Sequence, residues 1–277
     1  MDNLIFNYSA IIFYLACSAL LFFHLKNSVT NAAETAFENT GALSKKQIIT
    51  IGLAALCLHG LALYSGIISP AGVDFGFYNA ASLVTAVIVL FTLIAVWRYP
   101  VDILAVVLLP LAAITLLIDS FNNSHHMLSP DSSNALIFHI LSSIIAYSIL
   151  ALAALQAVLL SIQNKFLHAH QPGGFIKLMP PLRNMEVLLF EVIIVGFIAL
   201  TISLGSGLIF LENMFEQQLA HKTVLSIIAW FVFLTLLIGH WKLGWRGRTA
   251  IRWTLSGFAS LMLAYFGSKF VLEIVLV

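Results

Sequence analysis

Eight apolar runs, each about 20 residues long, follow one another along this chain, at roughly 7–25, 48–69, 78–97, 101–118, 135–162, 185–210, 223–241 and 250–272. Coiled as a helix rising 1.5 Å per residue, such a run matches the ~30 Å hydrocarbon core of a bilayer. No water is available there to satisfy backbone N–H and C=O groups, so the helix satisfies them internally. The expected fold is therefore all-α: a polytopic membrane bundle of eight transmembrane helices, with residues 1–277 forming a single integral membrane domain. Composition agrees. The 277 residues are 61% hydrophobic and 9% charged, against about 25% charged in a soluble domain. The mean hydropathy is +1.01. With a net charge of +1 and no basic patch, nothing points to nucleic acid.

The start, MDNLIFNYSA, has an acid and no basic residue before the first apolar run. A cleaved signal would carry a basic n-region, so the first run is expected as a retained helix. Loop charge sets the orientation. The loops after the first, third, fifth and seventh runs hold 11 of the 13 basic residues, from Lys26, Lys45 and Lys46 to Arg246, Arg248 and Arg252. Only Lys222 and Lys269 fall on the other side, with Asp74, Asp119, Asp131, Glu212 and Glu216. The expectation is both termini outside and the basic loops in the cytoplasm. An odd number of spans would scramble this pattern, so charge also favours eight. Pro110 lies inside the fourth run and is expected to kink it.

Within these runs stand His59, His139 and His240. An ionisable group at membrane depth marks a functional-site candidate, and imidazole is a common ligand of metals and haem iron. His59 sits about 11 residues into its run, near the midplane. It reads either as a ligand or relay, or as an imidazole bonded to a neighbouring helix. His240, before Trp241 and Lys242, and His139, about one turn inside the outer face, each read alone as interfacial residues or as ligands. His24 reads as interfacial, and is a substitute ligand at a depth similar to His240. His125 and His126 lie in an outer loop, where they could supply a ligand near His139. His168 and His170 lie in a cytoplasmic linker, and His221 opens the seventh run.

Other chemistry finds little support. Cys17 and Cys57 match no metal or redox spacing and read as packing residues. No His-Glu-x-x-His, Gly-x-Ser-x-Gly or Walker-type loop is present. Ser206 has no base within its own segment. Glu186 and Glu191 are expected to pair with Arg183 or the Arg246–Arg252 cluster. The chain is therefore not expected to be an enzyme.

Several segments form a recognisable series: Phe138-His-Ile-Leu-Ser-Ser-Ile-Ile-Ala-Tyr147, Pro180-Pro-Leu-Arg-Asn-Met-Glu186, His221-Lys-Thr-Val-Leu-Ser-Ile-Ile-Ala-Trp230, Leu237-Ile-Gly-His240, Gly244-Trp-Arg-Gly-Arg-Thr-Ala250, and Gly257-Phe258 through Tyr265-Phe-Gly267. In order and spacing they resemble the cytochrome c assembly family of haem-handling membrane proteins, the CcmC/CcsA/HemX type. The nearest likeness is to its HemX/YpjD-type inner-membrane branch. The family-like region spans about 48–272 and is densest over 135–270, the first four runs matching by topology and His59.

The resemblance implies a cell inner membrane protein that binds haem b. It assigns His59 and His240 as the two axial ligands of the haem iron within the bilayer. It matches His139 to the first of an outward histidine pair, which in the larger members flanks a tryptophan-rich WWD segment that presents haem to apocytochrome c. Here the corresponding segment, 207–220, contains no tryptophan, and no histidine follows His240. The intramembrane site is thus the stronger inheritance. The partners implied are haem, membrane lipid, and proteins of cytochrome c maturation or tetrapyrrole synthesis. A regulatory scaffold for tetrapyrrole synthesis, or a small-solute transporter using the histidines as a relay, are the alternatives. The missing inverted repeat argues against transport.

Overall fold

The computed structural model describes residues 2–31, 43–69, 72–121, 127–128, 133–168, 178–210 and 220–267. Eight helices follow in order: α1 Asp2–Asn31, α2 Lys45–Ile67, α3 Phe77–Arg98, α4 Asp102–Phe121, α5 Asn134–His168, α6 Leu182–Phe210, α7 Ala220–Leu243 and α8 Gly247–Met262, the last running into a π-helical turn at Leu263–Gly267.

Local chemistry sets several boundaries. Ser44 caps α2 by accepting from the Gln47 N–H, while the Gln47 side chain accepts from the Ser44 N–H. This reciprocal pair satisfies two N–H groups that a helix start otherwise leaves open. α3 stops at Arg98 because Tyr99 precedes Pro100. The proline ring disfavours helical geometry in the residue before it, and Tyr99 is extended at φ −126°, ψ 153°. α4 runs on through Pro110 as one helix.

Seven of the helices, α1 to α7, are long and apolar enough to cross a membrane. The eighth expected span is not among them: the 16 residues of α8 and the π-helical turn fall in its place, and from residue 268 its remainder lies outside the described residues. Two helices outrun their apolar cores. α1 reaches Asn31, and the 35-residue α5 reaches His168, carrying Lys165 and His168 in its last turn. At the opposite end a small antiparallel sheet, absent from the sequence reading, joins Ile68–Ser69, Gly72–Asp74 and Met127–Leu128 in the order β1-β2-β3.

α5 is the central element. It packs on α6, α8 and α3, whereas α1 packs on α2 and α4, and α7 on α6 and α8. Small residues allow the close approaches, as is usual in membrane bundles. At Gly196 of α6, a Cβ would lie 2.6 Å from Leu150 Cδ2 of α5.

Polar contacts gather the basic end of the bundle. Lys45 pairs with Asp102 at 2.7 Å, joining the starts of α2 and α4. The Tyr99 hydroxyl donates to both Glu191 oxygens at 2.8 and 2.7 Å, joining the α3–α4 turn to α6. The Gln163 amide donates to the Pro180 carbonyl, and the Gly247 N–H to Glu186 Oε1 at 2.9 Å. Glu186 and Glu191 therefore meet a backbone N–H and a phenol, not the arginines expected from sequence. At that depth the unpaired N–H at the start of α8 needs an acceptor more than an exposed guanidinium does.

Candidate functional site

His59 lies in the middle of α2, fully buried between α1 and α3. Its Nδ1 is 3.1 Å from the Tyr14 hydroxyl, and its Nε2 is 3.0 Å from Ser82 Oγ. Tyr14 also meets the ring edge-on at 5.8 Å. A neutral imidazole has one donor and one acceptor nitrogen, so these two hydroxyls use its whole capacity in either tautomer. Below it, the Cys17 thiol donates to the Ile48 carbonyl, and a Cβ on Gly52 would lie 3.2 Å from that sulfur.

His240 is held differently. Its Nδ1 lies 2.9 Å from the Trp245 carbonyl oxygen. A carbonyl only accepts, so Nδ1 carries the proton and Nε2 holds the lone pair of the neutral ring. Among the described residues, nothing is hydrogen-bonded to that Nε2. The ring stacks face to face on Phe190 of α6, centroids 3.5 Å apart and planes 17° from parallel.

This arrangement originates in the α7–α8 turn. Gly244 and Gly247 take left-handed backbone at φ +66° and +53°, which is inexpensive only for glycine. They fold Trp245 back so that its N–H donates to the Gly239 carbonyl at 3.1 Å, with its indole over Gly239. A Cβ on Gly239 would lie 2.3 Å from that indole. The Glu186 carboxylate then fixes Gly247, and Trp253 lies beside Trp245 at 5.5 Å. The Gly-His and Gly-Trp-Arg-Gly segments thus act together to present one imidazole.

His139 repeats the pattern near the other end of α5. Its Nδ1–H is shared between the Ser203 carbonyl at 3.0 Å and Ser206 Oγ at 3.2 Å, both on α6. The Ser206 hydroxyl donates to that same carbonyl. Ser206 therefore orients a histidine from a different helix, which its own segment could not reveal. Here too Nε2 has no hydrogen-bond partner among the described residues.

The partners of His59 come from α1 and α3; those of His240 come from α6 and the α7–α8 turn. The two histidines share none. His24 is half-buried on α1, and the exposed His168 donates from Nδ1 to the Asn164 carbonyl. His125, His126 and His170 lie outside the described residues, as does most of the segment replacing WWD, 211–219. Among the described residues, no three His, Cys, Asp or Glu side chains gather as a metal-binding group. Sequence reading found the three histidines but not Tyr14, Ser82, Ser203, Phe190 or Trp245. Of these, only Trp245 carried a signal, its position between two glycines.

Comparison with known proteins adds a frame. The family described as Cytochrome C assembly protein matches residues 47–276. An Escherichia coli K12 protein named inner membrane protein YpjD is 31% identical over 245 residues, covering 86% of this chain and 90% of its own length. An uncharacterised 28.8 kDa protein of Azospirillum brasilense is 31% identical over 140 residues, covering 50% of this chain and 52% of its own. No solved structure matches.

Proposed function

Because this chain belongs to the cytochrome c assembly family, we propose that it is a haem-handling protein of the inner membrane, acting in cytochrome biogenesis without catalysis of its own. The observation that carries the reading is His240. Its Nδ1–H is fixed by the Trp245 carbonyl and its Nε2 lone pair is unused. A carbonyl bond at one nitrogen that orients the other is the usual arrangement of an imidazole metal ligand. Phe190 fixes the plane of the His240 ring from one side, and the apolar helices suit a flat apolar macrocycle such as haem b. Arg246, in the adjoining turn, supplies a cation for propionates. Bound haem would supply iron for ligation or electron transfer.

The fit differs among the three histidines. Among the described residues, His240 and His139 each offer a free Nε2. His59 offers none in this arrangement; it would hold haem together with His240 only by releasing Tyr14 or Ser82 and by an approach of α2 to α7, which pack on different neighbours here. His139 stands as a separate outward imidazole. Eight spans with both termini outside complete the reading, the basic end lying in the cytoplasm where proteins of cytochrome c maturation or tetrapyrrole synthesis would dock.

The test is spectroscopic. Detergent-purified protein supplied with haem should develop a Soret band. His240→Ala should weaken or shift it, and His139→Ala should leave most of it. Protein that takes up no haem under these conditions overturns the proposal.

A further inference from the structure

A second feature of the basic end lies outside the histidine sites. Where α5 projects beyond its apolar core it faces the first two turns of α8, and a cavity of about 350 Å³ opens between them. From α5, Lys165, His168 and Asn164 line it; from α8, Arg248 and Arg252. Ile251, buried, forms the floor, and Ser161 adds a hydroxyl at the apolar edge. The spacings are those of facing helical surfaces, positions i, i+3 and i+4 on α8 and i, i+3, i+4 and i+7 on α5.

The charge is one-sided. One lysine and two arginines line it, and among the described residues no carboxylate does. Among the described residues, the acids at this end are engaged with other groups, Glu186 with Gly247, Glu191 with Tyr99 and Asp102 with Lys45. His168 donates from Nδ1 to Asn164, so its ring is fixed with Nε2 uncommitted. Three like charges brought together repel one another unless an anion joins them.

The geometry points to a binding site for a phosphate group, held by Lys165, Arg248 and Arg252 between α5 and α8. Arginine forks match phosphate oxygens in pairs and lysine adds a point charge. The cavity opens where the apolar spans end, at the depth of lipid headgroups, and its volume exceeds that of a bare phosphate. An anionic phospholipid headgroup and a free phosphate-bearing solute share this chemistry. The site depends on neither haem nor His240.

The experiment uses the full chain in neutral detergent, stripped of co-purifying lipid. It is titrated with short-chain phosphatidylglycerol, with phosphatidylcholine and with inorganic phosphate, reading the thermal midpoint. Saturable stabilisation by phosphatidylglycerol but not by phosphatidylcholine or inorganic phosphate assigns the site to a headgroup. An equal response to inorganic phosphate assigns it to a free solute. Lys165→Gln and Arg252→Gln should each weaken the response about tenfold, as the loss of one charge-assisted contact does. Arg252→Lys keeps the charge but loses the paired bonds, so it should fall between wild type and Arg252→Gln, and it guards against a variant that simply misfolds. Lys242→Gln, a basic residue outside the cavity lining, should leave the response unchanged. The inference is overturned if neither ligand saturates, or if Lys242→Gln loses as much as Arg252→Gln.

Discussion

His59 and His240 are the same side chain on two apolar helices, yet the bundle treats them in opposite ways. Around His59, α1 and α3 each bring a hydroxyl, and both ring nitrogens are bonded. Around His240, one carbonyl takes Nδ1 and an aromatic face covers the ring, leaving Nε2 unbonded among the described residues. Depth in the membrane does not separate a structural histidine from an available one; completeness of hydrogen bonding does. The N-terminal helices carry further bonded pairs of this kind. Thr85 meets Thr115 at 2.9 Å, Asn7 donates to Ser120, and Ser18 donates to the Val106 carbonyl. Among the described residues, the C-terminal helices keep His139 and His240 with Nε2 uncommitted.

The largest expected effect tests that contrast directly. His59→Ala strands the Tyr14 and Ser82 hydroxyls in an apolar interior and leaves a void. The stranded groups and the void together should cost roughly 2–5 kcal/mol. His240→Ala loses one bond and one ring contact and should cost about 1–2 kcal/mol. Denaturant unfolding in mixed micelles compares the two. If His59→Ala proves no less stable than His240→Ala, the distinction between the regions fails.

Next in size is the turn that presents His240. Gly239→Leu drives a side chain into Trp245, whose indole lies 2.3 Å from the Cβ position. Overpacking of this sort costs about 1–3 kcal/mol. The expected result is a shift in tryptophan emission together with loss of the haem spectrum, even though His240 itself is unchanged. A variant with displaced emission and an intact Soret band would show that Trp245 does not orient the ligand.

Much of the fold was legible because its determinants are local. The apolar runs placed the first seven helices, although α1 and α5 run on past them. The interhelical partners were not legible. Tyr14 is 45 positions from His59, and Ser203 is 64 from His139. A hydroxyl in an apolar run looks the same whether it bonds its own helix or a distant histidine. The small sheet was hidden for a related reason, since strands of two or three residues have no periodicity to read. Glu186 and Glu191 misled because proximity of charge in sequence said nothing of the unpaired N–H at the start of α8.

A smaller effect sharpens the role of His59. Tyr14→Phe removes the partner of Nδ1 and keeps the ring contact. An interhelical bond in a membrane is worth about 1 kcal/mol, so stability should fall only slightly. If His59 is the second axial ligand, freeing this nitrogen should raise haem affinity. If His59 only pins α1 and α3 to α2, haem binding should be unchanged while His59→Ala still destabilises. Haem titrations of wild type and Tyr14→Phe, side by side, separate the two roles.

The smallest effect concerns the joint between the two regions, where the Tyr99 hydroxyl donates to Glu191. The hydrogen bond to Glu191, ahead of slight burial and the nearby carboxylate charge, raises the Tyr99 pKa above the ordinary phenol value. A bond that needs the proton is lost when the proton leaves. Its contribution is therefore complete below the unfolded phenol pKa of about 10, and disappears as pH rises through the higher folded value. Tyr99 is only partly buried and Glu191 is exposed, so water competes for the bond and the stability change should be slight. Titration is the sharper readout. The phenolate absorbance difference between wild type and Tyr99→Phe isolates this group, and Glu191→Gln should move its midpoint down toward the ordinary value. A midpoint unmoved by Glu191→Gln would mean that the joint rests on the packing of α3 against α5, leaving the polar link incidental.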